Sequence, residues 1–297
     1  MYKKIVLLKL ILLFIIATSI YIFNFTVDPY NFNKLFDFGL NKEKISSKKH
    51  YRLYKMNNFS QNPKNTIILG DSRSDALKDQ YFNDLGQNNI FNLAYGGGTL
   101  YEALNTFWYA TKFIQLNKVI IGIPFNIYNE NNKRDLTTEA EQMLNNKLSS
   151  YINPFITKVS VMNIIDKLSP IKIERPNVNK EYFWKTQLGA TTNSFYRYYK
   201  YPTGLFKKLE EVSSYCKTNN IELVFLIPPT HIDLQKKVDE YNLRTEYNKY
   251  KIQLKQFGKV LDFDTENNIT INQDNFDDPY HFNKHIAKLL VRKLISQ

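Results

Sequence analysis

Two short segments far apart in the chain contain the residue types that can transfer an acyl group. The sequence GDSRS occupies residues 70–74 directly after an apolar run, and DPYH occupies residues 278–281. A serine hydroxyl is a poor nucleophile until a base removes its proton, and a histidine held by a carboxylate supplies such a base. The pattern therefore predicts Ser72 as the nucleophile, His281 as the base and Asp278 as the residue that orients the imidazole.

The alternation of apolar and polar segments predicts the fold that must position these residues. Strand-like runs occupy residues 66–69, 90–93, 118–123, 221–227 and 260–263. Helix-like runs occupy residues 74–85, 100–114, 205–216, 232–257 and 283–296. This alternation favours an α/β fold, a three-layer α/β/α sandwich with a mostly parallel five-stranded sheet. Ligands of such sheets bind outside the carboxyl ends of the strands, where Ser72 would lie.

The N-terminal segment is long and apolar enough to form one transmembrane helix. Residues 5–25 are almost wholly apolar, which is sufficient to cross a hydrocarbon core of about 30 Å. Lys3 and Lys4 precede this run, so the positive-inside rule places the N-terminus in the cytoplasm and the remaining chain outside. A cleaved signal peptide is the alternative. We favour a retained single-pass anchor, because the apolar run continues beyond the poor cleavage site at residues 17–19.

Three parts are expected along the chain. Residues 1–26 are the anchor, residues 27–62 a lysine-rich juxtamembrane connector, and residues 63–297 the α/β domain. Residues from about 129 to 202 interrupt the strand–helix alternation and contain aromatic runs, which predicts an insertion that caps the active-site face. Aromatic side chains beside basic groups suit sugar rings and acidic polymers, and a purely structural use of them is the alternative.

Composition narrows the classes of partner and cofactor. The net charge is +12, but the basic residues are scattered and no nucleic-acid motif is present, so nucleic acid is not an expected partner. Membrane head groups or an anionic polymer are expected instead, with a merely solvated basic surface as the alternative. The single cysteine excludes an intramolecular disulfide. No cofactor is expected, nor a metal, because His281 and His285 lack a third ligand and Phe282 replaces a metalloprotease glutamate.

Several segments resemble the sequence blocks of the SGNH/GDSL hydrolases. ILGDS at residues 68–72 is similar to the first block, NLAYGG at residues 92–97 to the second, and DPYH to the last. The resemblance implies a flavodoxin-like SGNH fold and an oxyanion hole formed by the amides of Ser72 and Gly97, with Gly96 in reserve. The third block of the family usually reads Gly-x-Asn-Asp, whereas this chain has GIPFN at residues 122–126. Asn126 is therefore either an oxyanion donor from a shifted position or a polar turn residue.

The anchor, the segment VDPY at residues 27–30 and LGDSR at residues 69–73 resemble one branch of that superfamily. This branch contains the AlgJ/AlgX-type polysaccharide O-acetyltransferases and, more distantly, DltD of teichoic acid D-alanylation. The resemblance implies an extracytoplasmic O-acyltransferase, anchored in a bacterial cell membrane, that acetylates a cell-envelope polysaccharide beside a multi-spanning O-acyltransferase of the MBOAT type. A carbohydrate esterase with the same triad and a non-catalytic polymer-binding scaffold are the alternatives. Arg73 and His231 are the candidate substrate-binding residues.

Overall fold

The computed structural model describes residues 2–170 and 179–296. The strands are β1 Thr66–Leu69, β2 Ile90–Asn92, β3 Lys118–Gly122, β4 Glu222–Ile227, β5 Lys259–Asp262, β6 Phe276–Asp278 and β7 His281–Phe282. The helices are α1 Tyr2–Val27, α2 Lys42–Lys49, α3 Tyr51–Gln61, α4 Ser72–Asp75, α5 Asp79–Asn83, α6 Leu100–Ala110, α7 Thr137–Asn145, α8 Lys147–Ser150, α9 Pro154–Leu168, α10 Lys180–Thr186, α11 Thr192–Tyr196, α12 Thr203–Thr218, α13 Ile232–Glu240, α14 Arg244–Phe257 and α15 Lys284–Ile295. Short 3₁₀ turns occupy Phe125–Ile127 and Gln273–Asn275, and a π-helical turn occupies Gln187–Thr191.

These elements form two compact units. Residues 62–135 and 179–296 contain the strands, and residues 2–61 and 136–170 are helical. The predicted insertion is therefore divided between them, since residues 136–170 belong to the helical unit and residues 179–202 to the unit that contains the sheet. Residues 171–178 of that predicted insertion lie outside the described residues.

The sheet has the strand order β2-β1-β3-β4-β5, and every neighbouring pair in it is parallel. Alternate residues of a strand point to opposite faces, and Ile68, Ile120 and Val224 pack with α15 on one face. Helix α6 contacts β1, and α12 contacts β4. Residues of α6 and α12 are absent from the buried cluster that contains α15, so these two helices cover the opposite face and helices flank both faces of the sheet. The predicted α/β fold is confirmed, and the three central strands β1, β3 and β4 are largely buried.

Two of the predicted helices are divided in the structure. The segment predicted at residues 74–85 forms α4 and α5, and the segment predicted at residues 232–257 forms α13 and α14. Asn242 separates the second pair with a φ of +57°, and the N–H of Leu243 donates to the carbonyl of Val238 at 2.8 Å. Asparagine adopts this left-handed conformation more readily than most residues, so apolar periodicity alone misses the end of α13.

In the helical unit, α1 ends in a turn that is held by hydrogen bonds of two polar side chains, those of Asn24 and Asp28. Asp28 lies directly after α1, and its carboxylate accepts from the N–H groups of Phe32 at 2.7 Å and Asn33 at 3.0 Å. One turn earlier, Asn24 donates from Nδ2 to the carbonyl of Tyr151 at 2.7 Å and to Thr157 Oγ1 at 2.8 Å. These bonds provide partners for the buried amide nitrogen of Asn24 and the Asp28 carboxylate at the end of an otherwise apolar helix.

Within the described residues, α1 is the helix that is long and apolar enough to cross a membrane. None of its most apolar stretch is buried by protein. Three apolar side chains in the segment after α1 are also exposed, namely Leu35, Phe36 and Phe38.

Candidate active site

The end of β1 leads to Ser72 through a turn that only glycine fits. Gly70 has a φ of +136°, and a Cβ there would lie 2.6 Å from Ser74 Oγ and 2.7 Å from the carbonyl oxygen of Gly122 at the end of β3. Both the backbone conformation and the close approach exclude a side chain. Ser72 follows as the first residue of α4, at the carboxyl edge of the sheet.

A buried arginine joins the two strand ends beside Ser72. Arg73 is 2% exposed and donates to the Asp71 carboxylate from Nε at 3.0 Å and from Nη2 at 2.5 Å. It also donates to Asn126 Oδ1 at 2.6 Å. Burial is the largest influence and opposes the guanidinium charge, but Asp71, with smaller contributions from Tyr280 and Asp264, outweighs it, so the pKa of Arg73 is raised above its ordinary value. Arg73 was predicted to bind substrate. The structure places it against the cavity but directs its donors to Asp71 and Asn126.

Removing this cation is expected to destabilise the fold. The change Arg73→Met would leave the buried Asp71 carboxylate without its partner and should lower the free energy of unfolding by about 3–5 kcal/mol. Urea denaturation followed by fluorescence measures the loss. The matched control is Arg244→Met, because Arg244 pairs with an exposed Asp239 at 2.5 Å and should matter far less. Equal loss in both variants would contradict the assigned role of Arg73.

Ser72, His281 and Asp278 form a continuous chain of hydrogen bonds. Ser72 Oγ lies 2.7 Å from His281 Nε2, and His281 Nδ1 lies 2.7 Å from Asp278 Oδ2. Asp278 and His281 face each other across the β6–β7 hairpin. The carboxylate can only accept from Nδ1–H, which assigns the proton to Nδ1 and leaves the lone pair of Nε2 for the serine hydroxyl. The arrangement can therefore take a proton from Ser72 Oγ.

The β6–β7 hairpin is stabilised by hydrogen bonds within its own turn and by one to a residue that is distant in the sequence. Asp278 Oδ1 accepts from the N–H groups of Tyr280 at 2.8 Å and His281 at 3.1 Å. Burial raises the pKa of Tyr280 to about 12, so its hydroxyl stays protonated at neutral pH, and it lies 2.9 Å from Thr192 Oγ1. The acid and base thus have a defined geometry before any substrate binds.

His231 lies behind the hairpin and outside the residues that line the cavity. It is 5% exposed, and its ring packs edge-on against Trp184 at 4.9 Å and Phe276 at 5.6 Å. Burial lowers the pKa of His231. Its backbone N–H donates to the carbonyl of Pro279 at 3.0 Å. The structure therefore does not bring His231 to the cavity, where it was expected as a substrate contact, and instead makes it a support for the hairpin.

A cavity of about 470 Å³ opens over Ser72. Its lining consists of Asp71, Ser72, Arg73, Gly97, Gly98, Asn126, Ile127, Asn132, Arg134, Gln187, Thr191, Phe195, Tyr280 and His281. Three of these residues were predicted as oxyanion donors. The N–H of Ser72 and Nδ2 of Asn126 have no hydrogen-bond partner within residues 2–170 and 179–296, and Gly97 lines the cavity with a φ of +61°. Since Asn126 Oδ1 is held by Arg73, Nδ2 is the amide atom left to donate.

Several cavity residues are not evident from the sequence. Arg134, Gln187, Thr191 and Phe195 come from the region predicted as an insertion, where no local pattern distinguishes them. Two tyrosines of the aromatic run in that region are used for packing, since Tyr196 lies edge-on to Phe125 and Tyr199 stacks on it. In the described part of the chain, no group of three or more histidine, cysteine, aspartate or glutamate side chains is placed to hold a metal ion.

Comparison with known proteins gives structural likenesses only. No family model and no curated protein matches the chain. A GDSL-like lipase from Bacteroides thetaiotaomicron is similar at 12% identity and a TM-score of 0.40, covering 84% of this chain and 98% of its own. A protein assigned as an acylhydrolase from Bacteroides fragilis has 12% identity and a TM-score of 0.38, covering 80% and 88%. One assigned as a platelet activating factor from Streptococcus pneumonia has 10% identity and a TM-score of 0.41, covering 86% and 94%. At these low identities, function must be argued from the residues of this chain.

Proposed function

We propose that this protein is an SGNH-type serine enzyme that transfers an acyl group through a covalent intermediate on Ser72. The single observation that carries the proposal is the hydrogen-bonded series Ser72–His281–Asp278, with 2.7 Å at each side-chain step. It lies at the carboxyl edge of a parallel sheet, beside a cavity large enough for a small ester. The resemblance of the sequence blocks to SGNH/GDSL hydrolases supports the same assignment.

In the first half-reaction, Ser72 Oγ attacks the carbonyl carbon of an acyl ester. Nε2 of His281 takes the hydroxyl proton, and Asp278 stabilises the imidazolium. The carbonyl oxygen becomes an oxyanion, and the proposed donors stabilise it by hydrogen bonds. These donors are the N–H groups of Ser72 and Gly97 and Nδ2 of Asn126. Each well-placed donor contributes about 3 kcal/mol to the transition state. The ester bond then breaks, Nε2 returns the proton to the leaving oxygen, and the acyl group stays on Ser72.

In the second half-reaction, an acceptor hydroxyl takes the acyl group from Ser72. Nε2 removes the acceptor proton, the acceptor oxygen attacks the acyl carbon, and Ser72 Oγ leaves and regains a proton. A sugar hydroxyl as acceptor makes the protein an O-acyltransferase, and water makes it an esterase. We favour the O-acetylation of a cell-envelope polysaccharide. The esterase is the second candidate, because the His281 side chain is 41% exposed and therefore within reach of water.

The helical unit supports a membrane-bound location for this reaction. The length and apolar surface of α1 suit a single-pass anchor, and the exposed Leu35, Phe36 and Phe38 extend that surface. We propose that the anchor lies in a bacterial cell membrane with the sheet unit outside. A multi-spanning O-acyltransferase of the MBOAT type is the proposed source of acyl groups, as the resemblance to the membrane-anchored branch implies.

The test uses the full chain in detergent with an aryl acetate, in the presence and absence of neutral and anionic sugar oligomers. Intact mass and acetate release are followed together. We expect a transient acetyl adduct on Ser72 and acetylated oligomers. Acetate release without oligomer acetylation would assign the esterase. The absence of both the adduct and Ser72-dependent turnover would contradict acyl transfer and favour the non-catalytic polymer-binding scaffold.

A further inference from the structure

Arg134 lies on the rim of the catalytic cavity, on the side formed by Gly97. Its side chain is exposed and lines the same cavity as Ser72 and His281. Nη2 donates to the carbonyl oxygen of Gly97, and the backbone carbonyl of Arg134 accepts from Thr99 Oγ1 at 2.7 Å. The residue is thus held at both its backbone and its guanidinium group, although its side chain faces solvent.

The guanidinium of Arg134 has no carboxylate partner among the described residues. The acidic residues that line the cavity or lie near Arg134 in the sequence contact other groups. Asp71 pairs with Arg73 at 2.5 Å, and Glu130 pairs with Lys133 at 3.3 Å. Asp135 accepts from Asn105 at 2.9 Å. The charges of Arg73 and Asp71 cancel within the cavity lining, and Arg134 is the remaining arginine, lysine or acidic residue in that lining. The cavity lining therefore contains one guanidinium, that of Arg134, which no carboxylate of the described residues pairs with.

We infer that Arg134 binds an anionic group, a carboxylate or a phosphate, of the substrate that occupies the catalytic cavity. The inference rests on the proposed acyl-transfer function for the identity of the cavity as the substrate site. A guanidinium presents five donors in a planar fork that matches the oxygens of these anions. The bond to Gly97 uses one donor and leaves the others for the ligand.

This assignment predicts selectivity between acceptors of the same length. An oligosaccharide with uronic acid carboxylates, or an oligomer of glycerol phosphate, would pair with Arg134, whereas a neutral glucose oligomer would not. Hydrogen bonds between charged groups are stronger than neutral ones, so removing the guanidinium should weaken the binding of anionic ligands about 10- to 100-fold.

The experiment measures binding to the full chain in detergent carrying Ser72→Ala, so that no turnover occurs. Calorimetry gives Kd for galacturonate oligomers, glycerol phosphate oligomers and neutral maltose oligomers, each with and without the further change Arg134→Gln. We expect Kd to rise about 10- to 100-fold for the preferred anionic oligomer and to stay unchanged for the neutral one. The oligomer that binds more tightly identifies carboxylate or phosphate as the ligand. Arg134→Lys should give an intermediate Kd, because it keeps the charge and loses the fork.

The matched control is Lys133→Gln, because Lys133 is the adjacent cation, is 61% exposed and pairs with Glu130. It should leave every Kd unchanged. Absence of binding to both anionic oligomers, or an equal loss for neutral and anionic oligomers in Arg134→Gln, would overturn the inference, since Arg134 would then only support the Gly97 loop. Aryl acetate turnover is measured separately with Ser72 intact. If aryl acetate is turned over but binding does not depend on Arg134, this inference alone is contradicted. If binding depends on Arg134 but aryl acetate is not turned over, the acyl-transfer function alone is contradicted.

Discussion

The variant Ser72→Ala is expected to lower kcat/KM for an aryl acetate by about 10⁴-fold or more, because it removes the atom that bonds to the acyl carbon. The remaining oxyanion donors cannot replace a nucleophile, so only slow attack by water is left. Steady-state hydrolysis by the full chain in detergent measures the effect. Stability should change little, since Ser72 Oγ contributes one hydrogen bond, to His281, and the cap of α4 belongs to Asp71.

A matched serine tests whether the loss is specific to this position. Ser214 is exposed on α12, and Ser214→Ala should leave kcat/KM unchanged. If Ser72→Ala keeps more than about a tenth of the activity, the acyl group is not transferred through Ser72. A loss of folding in Ser72→Ala, seen by denaturation, would instead indicate that the serine is needed for structure.

The variant Asp278→Asn is expected to lower kcat/KM by about 10⁴-fold while leaving the hairpin in place. An amide at this position can donate to Nδ1 of His281, which favours the tautomer with the proton on Nε2. That proton would face Ser72 Oγ, so the imidazole could no longer act as a base. The measurement is again aryl acetate hydrolysis, with circular dichroism to verify the fold.

Asp277 provides the control for this change. It is the adjacent acid, it is exposed on β6, and it is not among the residues that line the cavity. Asp277→Asn should therefore keep the activity of the unchanged protein. Comparable activity in Asp278→Asn and Asp277→Asn would contradict the role of Asp278 in orienting His281.

The strands were predictable from the sequence because their signal is local. Runs such as TIIL at residues 66–69 combine β-branched residues with short length, and the parallel sheet follows from their alternation with helices. The interruption of the helical periodicity at Asn242 was missed, because a single residue in the left-handed conformation changes the backbone without changing the apolar pattern.

The residues around the catalytic serine were only partly predictable, because their partners are distant in sequence. The bond from Arg73 to Asn126 spans 53 positions, and nothing near Arg73 indicates that its guanidinium is occupied by Asn126. The position of His231 was unpredictable for the same reason, since Trp184 and Phe276 bury it from two other segments. Arg134 has no local motif, so only the folded chain reveals that it reaches the cavity.

The division of the chain between two units has a consequence for its synthesis. Asn24 near the end of α1 bonds to Tyr151, 127 positions later, and the whole strand pair β1–β3 is translated between them. At about 5–20 residues per second, the ribosome needs roughly 6–25 s to supply that partner. During this interval α1 has already emerged while the buried amide of Asn24 lacks its acceptor. We therefore expect the helical unit to close only after residues 136–170 have emerged, although it contains the N-terminus, and the unit that contains the sheet to close later still, because β4 and β5 follow.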